Sequence, residues 1–99
     1  MYYIYILHSK EADRYYVGHT NQPTVRLEQH RTNSGDRFTG KFRDWIMVGL
    51  FEVGERKGDA DRIEKWIKRQ KSRRLIESML NPGITLYGPL AQLVRVPLS

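Results

Sequence analysis

"YYIYIL" (residues 2–7) and "YYVG" (residues 15–18) decide how the rest of this chain is read. The first run, extended through His8, is β-branched and aromatic without a breaker, and "YYVGHT" (15–20) has the same character, so both predict strands. The polar "SKEADR" (9–14) between them is turn-like, which makes the first twenty residues an antiparallel hairpin with a loop of several residues. Side chains alternate along a strand. Tyr3, Tyr5 and Leu7 therefore share one face of the first strand, and Ile4 and Ile6 share the other. In the second strand Tyr16 and Gly18 oppose Tyr15 and Val17.

Beyond the hairpin, "TNQPTVRLEQHRTN" (20–33) carries helix-start signals. Thr20 or Asn21 is placed to cap, Pro23 stands in the first turn, and Asn33-Ser34-Gly35 supplies the stop. "SGDRFTGKFRD" is a polar, basic loop. "WIMVGLFEV" (45–53), bounded by Asp44 and Gly54, reads as a buried third strand. From Lys57 the pattern turns helical, with Ala60, Ile63, Ile67 and Gln70 on one stripe and Trp66 beside it. Asp59 and Asp61 sit where the helix dipole favours them. Ser72 is expected to cap a further helix over 73–80, which Asn81-Pro82-Gly83 ends. Trp45 and Trp66 both fall in apolar patterns and read as core.

The order β-β-α-β-α-α implies a mixed α/β domain of α+β type: a small, mainly antiparallel, three-stranded sheet flanked by helices. We place that domain at residues 1–83. "ITLYGPLAQLVRVPLS" (84–99) shows no period, and we read it as a tail of open order in which Leu86 or Leu90 could pack.

Composition narrows the partners. Ninety-nine residues suit one core. Seventeen Lys and Arg against eleven Asp and Glu leave +6, which favours a polyanion such as nucleic acid through counterion release. The absence of cysteine excludes disulfides and thiolate zinc sites. No apolar run reaches the length of a membrane span, and the N-terminus lacks the features of a signal peptide, so a cytoplasmic protein without membrane contact is expected.

Several side chains stand out on spacing. Arg26 and His30 lie one turn apart, so they project from one helix face, either as a solvated basic edge or as a paired functional site. Glu64 sits at the margin of the apolar stripe, four residues before Lys68. It reads either as a partner of that lysine or as a carboxylate turned toward the sheet. Asn81 in Asn-Pro-Gly suits a helix C-cap. Tyr2, Tyr3 and Tyr15 fit core and cross-strand packing.

Five pieces in order resemble the GIY-YIG nuclease superfamily, in particular its small stand-alone bacterial members and the UvrC N-terminal nuclease domain. They are "YIY" (3–5), "YVG" (16–18), "RLEQH" (26–30), "RIEKWIKRQKS" (62–72) and "IESMLNP" (76–82). Tyr3 stands where the family's first glycine would be, a change a strand tolerates. The resemblance implies a DNA endonuclease that hydrolyses phosphodiester bonds in repair or recombination, with Mg²⁺ or Mn²⁺ as cofactor and a protein partner for targeting. It implies catalytic roles for Tyr5, Tyr16, Arg26, His30, Glu64 and Asn81: Tyr5 as the base, Tyr16 positioning phosphate or water, and Arg26 stabilising the transition state. By the same resemblance His30 drains the proton, Glu64 ligates the single metal, and Asn81 holds phosphate or water. A phenol with pKa about 10 serves as a base only where cations favour its phenolate. The alternative is a non-catalytic nucleic-acid-binding module with the same fold.

Overall fold

The computed structural model describes residues 1–32 and 42–98. Strands β1 (Tyr2–Ser9) and β2 (Arg14–Thr20) form the hairpin, followed by α1 (Pro23–Arg31), β3 (Ile46–Gly54), α2 (Lys57–Gln70) and α3 (Arg73–Leu80). A 3₁₀ turn at Gly88–Leu90 and a short strand β4 (Val94–Arg95) complete the chain. All neighbours in the sheet order β2-β1-β3-β4 run antiparallel. The sheet thus has four strands where the sequence predicts three, because β4 comes from a segment without periodicity. Among the described residues no helix is long and apolar enough to cross a membrane.

The period-2 reading of the hairpin holds and divides the core in two. Ile4, Ile6, Val17 and Phe51 line one face and pack beneath Ile63 and Ile67 of α2 and Met79 of α3. Tyr5 and Leu7 line the opposite face with Trp45, Leu27 of α1 and Tyr16. Burying each large aliphatic side chain is worth about 1.5–3 kcal/mol at most, so each face stands on a handful of residues. Leu90 and Leu93 are buried in the first of these clusters, Leu86 packs against it, and the Val96 N–H donates to the Leu50 carbonyl at 2.8 Å. The segment after α3 thus adds leucines to the first cluster and, through β4, a strand beside β3.

Local signals mostly act as expected. The Ser72 hydroxyl accepts the Leu75 N–H at 3.0 Å and caps α3. At α1 the N-cap is Gln22, without a side-chain cap. Thr20 acts one step earlier, its hydroxyl accepting the Gln22 N–H at 3.0 Å. Ile46 and Gln70 are exposed, against the expectation of a wholly buried third strand and an apolar stripe ending at Gln70. Gln70 instead donates back to the Trp66 carbonyl. Asn33-Ser34-Gly35 and most of the polar, basic loop after it lie outside the described residues.

The turn between β1 and β2 is tied to the entry of β3. Buried Ser9 donates to Asp44 Oδ1 at 2.6 Å, and the Glu11 N–H donates to Asp44 Oδ2 at 2.9 Å. The Ser9 hydroxyl first, and the Glu11 N–H second, hold the Asp44 carboxyl below its ordinary pKa of 3.8. A carboxylate with a lowered folded-state pKa adds stability above its unfolded pKa and loses it as pH falls through the folded value. Wild-type stability should therefore drop as pH falls below about 4. Asp44→Asn should be less stable at neutral pH and less pH-sensitive in that acidic range, as thermal melts across pH will show.

Candidate active site

Tyr5 stands in the middle of β1, only 1% exposed, on the face covered by α1. Its cross-strand partner on β2 is Gly18. A β-carbon there would lie 2.4 Å from the Tyr5 hydroxyl oxygen and 2.5 Å from Cζ. The glycine of "YVG" is thus required for space: its missing side chain is where the tip of the phenol lies.

Two groups from α1 meet that phenol. The Tyr5 hydroxyl is hydrogen-bonded to His30 Nε2 at 2.9 Å, and Arg26 Nε donates to it at 3.3 Å. The one-turn spacing of Arg26 and His30 does aim both at a common point. His30 is buried, so the solvated-edge reading does not apply to it. Tyr16 closes the group from β2, its ring centroid 4.7 Å from His30 and 6.2 Å from Tyr5. Burial opposes the charge on Arg26. Hydrogen bonding and attraction from Tyr5, then Tyr16, outweigh it and hold the guanidinium pKa above its ordinary value. One cation thus serves two phenols, and by reciprocity it stabilises negative charge on either oxygen.

Glu64 reaches the group from α2, which packs on the opposite face of the sheet through Ala60, Ile63 and Ile67. Its side chain is 16% exposed at the margin of that stripe. Oε1 lies 2.6 Å from His19 Nδ1, and Lys68 Nζ donates to Oε2 at 2.9 Å. Lys68 also stands over the Tyr16 ring, 5.1 Å from its centroid. Because β2 is an edge strand, Lys68 can bond the carboxylate and reach over the Tyr16 ring, and this is the link between Glu64 and the phenols. Both readings of Glu64 therefore hold: it pairs with Lys68 and it leans toward the sheet.

Tyr5, Tyr16, Arg26 and His30 thus form one group, and Glu64 is connected to it through Lys68. Asn81 is not among them. It is exposed at the end of α3, and its side chain accepts the Gly83 N–H at 2.9 Å, the turn-closing role its Asn-Pro-Gly setting suggests. The preceding Leu80 reaches the space over Gly49, on the Ile6 side of β3 and away from Tyr5. His19 is the residue the sequence does not single out. No local pattern links it to Glu64, and only its position directly after "YVG" could have drawn attention.

Among the described residues no three His, Cys, Asp or Glu side chains gather as a metal cage. One partly buried carboxylate beside an imidazole suits an ion that keeps most of its own water, as Mg²⁺ does.

The family model described as the GIY-YIG catalytic domain matches residues 1–77, and the chain belongs to that family. The family is one of nucleases that act on DNA and generally use divalent metal ions. Neither the curated proteins nor the solved structures give a significant match.

Proposed function

We propose that the chain is a Mg²⁺-dependent DNA endonuclease, with Mn²⁺ an acceptable substitute, that acts in the cytoplasm in repair or recombination and relies on a protein partner for targeting. The observation carrying this reading is Arg26, shared between the two phenols beside buried His30. Hydrolysis of a phosphodiester needs a proton taken from water, and it needs charge stabilised on phosphoryl oxygens. Glu64 would hold the ion, which when bound polarises the phosphate and steadies the leaving oxygen.

The chain's own groups supply the rest. Arg26 stabilises a phenolate and, with its forked donors, the charge growing on phosphorus. His30 accepts or returns the Tyr5 proton across their hydrogen bond. Tyr5 is the base in this reading, and Tyr16 orients the water and phosphate. The near-complete burial of Tyr5 favours a second assignment, in which the more open Tyr16 meets the water and Tyr5 with His30 supports it from behind. Single-turnover pH–rate profiles of Tyr5→Phe and Tyr16→Phe separate the two: the base is the phenol whose loss removes the rising limb. Asn81 would contribute only as a peripheral phosphate or water contact.

Purified protein incubated with nicked, flapped and branched DNA, with and without Mg²⁺, tests the function itself. Metal-dependent product is expected. Binding at low salt with no product on any substrate would leave a nucleic-acid-binding module in its place.

A further inference from the structure

We propose that the groove between the free edge of β2 and the turn joining α2 to α3 carries the DNA strand flanking the cleaved phosphodiester, with Lys71 and Arg14 as its phosphate contacts. The inference rests on the endonuclease reading above and extends it to the path of the substrate.

The groove, about 510 Å³, includes Tyr16 and Lys68 at one end, so it opens from the candidate site. It continues past Arg14, Lys71 and Ser72. Every charged side chain lining it is basic, which suits a chain of phosphates, although Lys68 is shared with the Glu64 carboxylate. Arg14 precedes Tyr16 by two residues on the same strand, a displacement of about 6.6 Å. That is the scale of one nucleotide of an extended strand, which sets Arg14 beside the phosphate next to the one at Tyr16.

Lys71 supplies a second, independent observation. It is the C-cap of α2 and has left-handed backbone angles, φ 48° and ψ 42°. Glycine is the residue favoured at such a position, because a side chain there carries a steric cost. A lysine occupies it nonetheless, and no carboxylate pairs with it among the described residues. Arg62, Lys65 and Arg73 on the same two helices are each neutralised by an aspartate, whereas Lys57, Arg69 and Arg74 share the unpaired state of Lys71 among the described residues, so it is the place of Lys71 at the groove that sets it apart. The helix dipole favours a cation at this end, but a left-handed position favours glycine, and the lysine found there stands at the mouth of a basic groove where it can meet a phosphate.

The two roles predict opposite signs for one substitution. Lys71→Gly removes the cation and relieves the backbone, so its melting temperature should stay level or rise by up to about 5 °C. Binding to a labelled flapped duplex, followed by fluorescence anisotropy without metal, should weaken about 3–10-fold near 0.1 M salt, and the slope of log affinity against log salt should fall by about 1. Adding Arg14→Ala should lower the slope by about 1 again. A Kd and salt slope equal to wild type in both variants, with wild-type protein cutting normally, overturns the groove and leaves the endonuclease standing. A wild-type protein that binds no DNA overturns both.

Discussion

Glu64→Gln should lower DNA cleavage by about 10²–10³-fold or more while DNA binding survives. The substitution keeps the shape of the side chain and removes its charge, so the readout is the chemistry of the carboxylate and not a gap in the helix. The fold should respond modestly, since glutamine can still hydrogen-bond to His19 in place of the carboxylate. The contact of Glu64 with Lys68 is an i,i+4 pair at the edge of α2, and such pairs contribute only about 0.2–0.5 kcal/mol. DNA affinity should hold or rise slightly, since a negative charge is withdrawn and Lys68 is released from its partner. Binding of Mn²⁺, followed by the loss of its free-ion paramagnetic resonance signal, should weaken in step with cleavage. Cleavage within about threefold of wild type would remove Glu64 from the mechanism, because a lone metal ligand cannot be lost so cheaply.

How much of this was legible depends on range. The hairpin faces could be read because strand periodicity is local and exact in its alternation, so Tyr5 and Ile4 part company whatever the rest of the chain does. The stripe of Ala60, Ile63 and Ile67 and the Ser72 cap were legible for the same reason. Arg26 and His30 were legible as a pair through helical spacing, but their target was not, since the register of α1 over β1 is a tertiary fact. Leu86 and Leu90 were named as residues that could pack, but Leu93 escaped, because a leucine in a proline-bearing stretch acquires meaning only when the core it covers exists. Apolar composition placed β3 in the core without saying that Ile46 at its start is exposed. His19 was the hardest: its partner is 45 residues away, and only the packing of α2 over the edge strand joins them. Asn81 shows the reverse, a residue whose local turn signal describes its place in the structure better than the family pattern does.

Gly18→Ala should disable the enzyme through one methyl group. The added carbon would fall 2.4 Å from the Tyr5 hydroxyl oxygen and 2.9 Å from Cε1, closer than nonbonded atoms can sit. A flexible side chain would swing away, but this ring is buried and hydrogen-bonded to His30 and Arg26. Either the phenol shifts and breaks those bonds, or β2 separates from β1 at its centre. Overpacking of this kind typically costs about 1–3 kcal/mol, and misplacing a reacting group by about 1 Å costs roughly 100-fold in rate. We therefore expect cleavage to fall by about 100-fold or more, together with a lower melting temperature. Shortening the other partner tests the cause. Tyr5→Phe deletes the nearest atom in the collision, so the double variant should be destabilised by less than the sum of the single changes. Strict additivity would mean the methyl group acts on something other than the hydroxyl, the ring carbons at 2.5 and 2.9 Å included. Full activity and an unchanged melting temperature in Gly18→Ala would mean that Tyr5 does not sit opposite Gly18, and the clustering of Tyr5, Arg26 and His30 would fall with it.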